Sequence, residues 1–255
     1  MTSHLLIPDV QTKKGVPTCH LTWIGKYIAD KQPDVIIQIG DFSDLPSLSS
    51  YDKGKLSFEG RRYRKDLDAT RRSMYELLTP YAGIRNYKPR MVLTLGNHEQ
   101  RIERAVQSSA ELEGTMSIDD LEYRQFGWEV HDFLKLITID GIAYSHFFPR
   151  SSNGRVVQTR TGAPSARAQL IREGRSCTSG HAQGLDIAPL PLQGRLQWGI
   201  IAGSCYLHKE EYLSAQGNNH WNGVILKQGV KRGTYSPILV SLDYLKSRYG
   251  KAKKR

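Results

Sequence analysis

The apolar positions of this chain recur in short runs, each stopping at a turn that carries polar, ligand-type side chains. Val35-Ile36-Ile37-Gln38-Ile39 runs into Gly40-Asp41-Phe42-Ser43-Asp44, and Met91-Val92-Leu93-Thr94-Leu95 runs into Gly96-Asn97-His98-Glu99. Near the start, His4-Leu5-Leu6-Ile7-Pro8 runs into Asp9-Val10-Gln11. Runs of this length and β-branched content predict buried strands, with their functional groups delivered at the carboxyl ends. Between the first two runs, Leu21, Ile24 and Ile28 fall at helical spacing over 19–31, and Pro33 closes the segment. A strand-helix-strand unit with parallel strands is therefore expected. A longer helix is predicted over 61–81. Tyr63, Leu67, Thr70, Met74, Leu77 and Tyr81 share one face, and Arg61, Arg62, Arg64, Lys65, Arg71 and Arg72 mostly lie off it.

Beyond the Gly-Asn-His-Glu turn, the pattern predicts a helix over 100–109 and a weaker helical stretch over 118–126. Strands are expected over 128–132 and 134–139, with Asp140-Gly141 as a hairpin turn and a return strand over 142–145 that ends at His146. A helix over 162–175 precedes Cys177-Thr178-Ser179 and the turn Gly180-His181-Ala182-Gln183-Gly184. The remainder alternates turns with short strands over 197–201, 224–227 and 238–242. No repeat or linker divides the chain. One α/β domain over 1–245 is expected, followed by a basic tail over 246–255.

Charge narrows the partners. The 36 Lys and Arg residues exceed the 25 Asp and Glu residues, giving a net charge of +11 and a pI of about 9.5. Such an excess points to a polyanionic partner, nucleic acid being the commonest. Arg61, Arg62 and Arg64 are the expected contacts, and a merely solvated basic face is the alternative. Cys19, Cys177 and Cys205 form no CxxC pair, which argues against a disulfide framework and fits a reducing compartment. No apolar run approaches the roughly 20 residues needed to span a bilayer, and the first residues lack the pattern of a signal peptide. A soluble, cytoplasmic protein without a membrane partner is expected.

The candidate metal ligands are Asp9, Gln11, Asp41, Asn97, His146, His181 and Gln183. Carboxylate, amide oxygen and imidazole suit Mn²⁺, Fe²⁺ or Zn²⁺. One carboxylate bridging two ions would hold them about 3.5–4 Å apart, the spacing used in two-metal phosphoryl hydrolysis.

In order along the chain, Asp9-Val10-Gln11, Gly40-Asp41-Phe42-Ser43-Asp44, Gly96-Asn97-His98-Glu99, His146 and Gly180-His181-Ala182-Gln183 resemble the blocks of the calcineurin-like metallophosphoesterases. That family's pattern runs D-x-H, GD-x-x-D, GNH[DE], a lone His and GH-x-H. The resemblance covers residues 4 to 184, and the layout is similar to that of small phage-encoded members. It implies a four-layer α/β/β/α sandwich of two mixed sheets flanked by helices. It also implies two divalent ions and hydrolysis of a phosphoester by a metal-bridged hydroxide. Asp41, Asn97, His146 and His181 would serve one ion. Both departures, Gln11 and Gln183 in place of histidines, would fall on the other, leaving it Asp9, Asp41 and amide oxygens. Such a site is harder and favours Mn²⁺ or Mg²⁺ over Zn²⁺. By the same resemblance His98 would stabilise charge or protonate the leaving oxygen, and Asp44 would orient a ligand or His98. Glu99 is expected to begin the following helix. The late histidines His208 and His220 show no partner spacing and are left outside the site. The expected substrate is a nucleic-acid phosphodiester, DNA favoured. The alternatives are a phosphomonoester or small nucleotide, or a nucleic-acid-binding protein with weakened catalysis.

Overall fold

The computed structural model describes residues 1–152, 155–157, 165–192, 194–210 and 220–250. In chain order the elements are β1 (Thr2–Ile7), α1 (Cys19–Lys31), β2 (Val35–Gln38), α2 (Tyr63–Ala82), β3 (Arg90–Thr94), α3 (Gln100–Ser108), β4 (Glu129–His131), β5 (Ile137–Ile139) and β6 (Ile142–Tyr144). There follow β7 (Arg150–Ser152), β8 (Arg155–Val157), α4 (Ala166–Glu173), β9 (Cys177–Ser179), β10 (Leu185–Leu192), β11 (Arg195–Ala202), β12 (Gly223–Lys231), β13 (Thr234–Ser241) and a last helix, α5 (Leu242–Tyr249).

The expected strand-helix-strand unit forms: β1 and β2 are parallel, with His4 opposite Val35 and Ile7 opposite Gln38. They belong to a six-stranded mixed sheet of order β13-β12-β1-β2-β3-β4, and a second, five-stranded mixed sheet runs β10-β11-β9-β6-β5. Alternation along the strands sorts their side chains to two faces. Leu5, Ile7, Ile36 and Leu93 join Leu21, Ile24 and Ile28 of α1, Met74 and Leu77 of α2, and Leu245 of α5 in one core. Leu6, Ile37 and Val92 turn the other way, onto Ile139, Ile142, Tyr144 and Ile200 of the second sheet. Leu170 of α4 covers Ala143 and Cys177 on the far side of that sheet. The result is an α/β sandwich of two mixed sheets with helices outside.

Differences from the predicted pattern have local causes. Helix α2 starts at Tyr63, so Arg61 and Arg62 precede it. The strand expected from Leu134 begins only at Ile137, because Leu134 takes a left-handed φ of 64° and turns the chain. Only a 3-10 turn, Ile118–Leu121, forms in the stretch 118–126. Strand β10 carries Pro189 and Pro191, which hides it from a pattern search, and it lies at a sheet edge where missing N–H groups are tolerated. The expected domain boundary at 245/246 falls inside α5, whose Tyr249 donates its hydroxyl to Asp30, and residues 251–255 lie outside the described residues. All three cysteines are free thiols. Among the described residues, no helix is long and apolar enough to cross a membrane.

Candidate metal centre

Asp9, Asp41 and Asn97 follow β1, β2 and β3, three adjacent parallel strands, while His146 and His181 follow the parallel pair β6 and β9 of the other sheet. Both sheets thus send their carboxyl ends to one edge of the sandwich. The loops after β1 and β2 are zipped together: Val10 and Gln11 donate their N–H groups to the Asp41 carbonyl, and Thr12 donates to Phe42. Hydroxyl pairs then tie these loops to α2, Thr12 to Ser73 at 2.5 Å and Ser43 to Thr70 at 2.7 Å.

The backbone at this edge is unusual. Gln11, Asp41, His181 and Gln183 all hold left-handed φ values, between 48° and 65°. Such backbone costs on the order of 1–3 kcal/mol for a non-glycine residue and concentrates at functional sites. Gly40, at φ 99°, has no room for a side chain either, because a Cβ there would collide with the His146 ring. A Cβ on Gly96 would collide with the Asp41 carboxylate.

Ligand-type atoms converge here. Oxygen or nitrogen atoms of Asp41, His146 and His181 lie within 4.8 Å of one another. Asn97 Oδ1 is 3.0 Å from His146 Nε2 and 2.8 Å from His181 Nδ1. His146 Nδ1 donates to the Ile39 carbonyl at 2.8 Å, which leaves Nε2 facing Asp41 Oδ2 at 3.3 Å. A histidine tethered through its far nitrogen to a carbonyl is the usual dress of a metal ligand. Asp9 completes the group differently. Its Oδ1 accepts from the His181 N–H at 3.1 Å, while its Oδ2 is buried with no hydrogen-bond partner. An orphaned buried carboxylate oxygen is costly unless it serves a cation.

The charges agree with that reading. Burial, aided by Asp41 and opposed by His146, pushes the Asp9 carboxyl up to about 7. Burial works the same way on Asp41, but His146 and His98 outweigh it and hold Asp41 well below the usual carboxylate range. His146 rises to about 9, Asp41 overcoming its burial, whereas burial and the neighbouring His146 lower His181 to about 4.

His98 stands beside this cluster. Its Nδ1 donates to Asp44 Oδ1 at 2.7 Å, and its Nε2 lies 3.8 Å from Asp41 Oδ2 and 3.4 Å from an Arg101 nitrogen. Burial opposes its protonation, but Asp41 and Asp44 raise its pKa nonetheless. Asp44 is held ionised, far below its ordinary range: burial disfavours its charge, and His98, Lys13 and Arg101 more than compensate.

Three groups were not anticipated. Glu99 stands at the start of α3, as expected, but its side chain does not cap the helix: its buried carboxylate accepts from the N–H groups of Asp41, Ser43 and Gly96 and from the Tyr123 hydroxyl. The late segment reaches the site after all. The Tyr206 hydroxyl donates to Gln183 Oε1 and lies 3.0 Å from His220 Nε2, and Tyr206 stacks on His208 at 4.6 Å. Arg101 and Arg104, about one and two helical turns beyond Asn97 and His98, donate to the Asp44 and Asn97 carbonyls. Their signal was the i+3 to i+7 spacing after the Gly-Asn-His-Glu turn. Of the arginines expected to meet nucleic acid, Arg61 binds Asp52 and the Pro46 carbonyl. Arg62 and Arg64 are exposed.

No family model matches this chain. The Gene 54 protein of Mycobacterium phage L5 is 26% identical over 211 residues, which cover 78% of this chain and 78% of that protein. A solved crystal structure aligns with 94% of this chain and 99% of its own at 12% identity and a TM-score of 0.41, a likeness too low to carry an argument.

Proposed function

We propose that the protein is a divalent-metal-dependent phosphoesterase with the metallophosphoesterase fold, acting on phosphodiesters. One observation carries the reading: Asp41, Asn97, His146 and His181 converge at one edge of the sandwich with the unpartnered Asp9 Oδ2 and the Asp44-oriented His98 beside them. The donor set of carboxylate, amide oxygen and imidazole fits divalent ions of the Mn²⁺ type. Asp41, Asn97, His146 and His181 would hold one ion. Asp9 and Asp41, with the amides of Gln11 and Gln183, would hold the second. Ions bound there supply the Lewis acidity that activates water and offsets charge on the phosphoryl oxygens. The chain's own residues do the rest. His98 presents a proton at Nε2 for the leaving oxygen, Asp44 keeps its ring aligned, and Arg101 adds positive charge at the same edge.

Nucleic acid, DNA favoured, is the proposed substrate class, on the net charge of +11 and the exposed Arg62, Arg64 and Lys65. A small phosphoester is the second reading. It is favoured by Arg61 and Arg71, whose guanidinium groups are already engaged by Asp52 and Glu122. A panel of aryl monoester, aryl diester, cyclic nucleotide, ssDNA, dsDNA and RNA with Mn²⁺ separates them. Diester and polymer hydrolysis, abolished by chelator, is expected. Polymer cleavage should weaken steeply with salt, and Arg62→Ala with Arg64→Ala should flatten that slope while sparing the small diester. Polymer binding without hydrolysis of any substrate would contradict the enzyme reading.

A further inference from the structure

The phosphoesterase reading uses Asp44 and His98 but leaves unexplained what stands behind them. Lys13 lies two residues beyond Gln11, with its side chain only 19% exposed and its Nζ 2.8 Å from Asp44 Oδ2. The same Nζ donates to both oxygens of Glu210, at 2.6 and 2.8 Å. Glu210 is itself buried, and its Oε1 meets His208 Nε2 at 2.5 Å. A run of polar contacts therefore extends from the cleft to the late segment through His98, Asp44, Lys13, Glu210 and His208.

Each oxygen of Asp44 has its own task in this arrangement. Oδ1 accepts from His98 Nδ1 and from Arg101, and Oδ2 accepts from Lys13. A carboxylate fixed at one oxygen only can swing about its terminal torsion, which is broad and two-fold. Fixed at both, it holds the imidazole it orients. Lys13 also separates the Asp44 and Glu210 carboxylates, which would otherwise face each other as buried like charges. A half-buried lysine shared by two buried acids is an expensive way to join two loops, because each charge gives up water. Its position behind His98, which stands beside the ligand cluster rather than in it, gives it a purpose.

We infer that Lys13 and Glu210 are positioning residues: through Asp44 they fix the ring of His98 so that Nε2 faces the leaving group. This inference rests on the phosphoesterase reading and deepens it. Removing the clamp should then cost most where proton delivery to the leaving oxygen matters most, with poor leaving groups.

The test is a series of methyl aryl phosphate diesters whose phenols range from nitrophenol to unsubstituted phenol, assayed with Mn²⁺-loaded protein. Lys13→Met and Glu210→Gln should each lower kcat about tenfold on the phenyl ester, the lower end of the loss typical for a supporting partner. On the nitrophenyl ester the loss should be under about twofold. KM and Mn²⁺ content should stay as in the unmodified protein, and Lys13→Arg should recover most of the rate. In a His98→Ala background Lys13→Met should add nothing, since the two act as one unit. A loss uniform across leaving groups, additivity with His98→Ala, or loss of Mn²⁺ from Lys13→Met would each overturn the inference while leaving the phosphoesterase reading intact. If the unmodified protein hydrolyses no ester of the series, that reading fails and the inference falls with it.

Discussion

If the proposed function holds, Gln11 and Gln183 make the two ion sites unequal. Gln11 is fully buried at φ 48°, and Gln183 at φ 60° accepts the Tyr206 hydroxyl through Oε1. Amide oxygens are weaker ligands for Zn²⁺ than imidazole. Calorimetric titration with Mn²⁺ should therefore resolve two unequal affinities, and Gln11→His with Gln183→His should tighten the weaker site for Zn²⁺ more than either change alone. Two equal, tight sites in the unmodified protein would refute this. The candidate ligands were legible in the chain because each sits in a local block, a strand followed by its turn. Lys13, Tyr206 and His220 were not, because partners far off in sequence define their roles. Lys13 meets Glu210 across 197 positions, and no local spacing records that.

At the scale of elements, the turn after β2 and the Gly-Asn-His-Glu turn are held in register by Glu99. Its carboxylate accepts three backbone N–H groups and one hydroxyl from the loops around it. Charge-assisted bonds to a buried acceptor are the stronger kind, and leaving such donors unmatched is costly. Glu99→Gln turns an amide N–H₂ toward donors, so a loss of about 3 kcal/mol is expected by urea unfolding, together with weakened Mn²⁺ binding. An unchanged unfolding midpoint would show that the loops are held by other means. Helices α1 and α2, the first three strands and the Asp140-Gly141 hairpin follow their apolar periodicity closely. β10 did not, because its prolines are admissible only through its place at the edge, a property of the assembled sheet.

The whole molecule closes around polar groups as well as apolar ones. Between the sheets, buried Lys227 donates to the Tyr144 hydroxyl and to Thr178, and Tyr144 in turn meets His4 Nδ1 at 2.8 Å. Burial lowers the His4 pKa to about 4, against the pull of Asp140. On the buried face of α1, burial likewise takes His20, whose ring nitrogens make no well-formed hydrogen bond, to about 4. Both rings are neutral in the fold and titrate near 6.5 when unfolded, so the unfolded chain binds more protons between those values. Their contribution is fully present above about pH 6.5 and is lost as pH falls toward 4. The melting temperature should drop through that window, and His20→Leu should reduce the drop, raising stability at pH 5 more than at pH 7.5. Equal effects at both pH values would assign the acid loss to other groups. The proposed role of this edge of the sandwich, holding ions for phosphoester hydrolysis with His98 as the acid, separates metal ligation from proton transfer. It is tested most directly by measuring Mn²⁺ content and diester turnover on the same samples of unmodified, Asp41→Ala and His98→Ala protein. Asp41→Ala should lose both metal and turnover, while His98→Ala should keep its metal and slow by about 10²–10³. Hydrolysis that survives chelator or persists in Asp41→Ala, or His98→Ala losing metal as fully as Asp41→Ala, would contradict it.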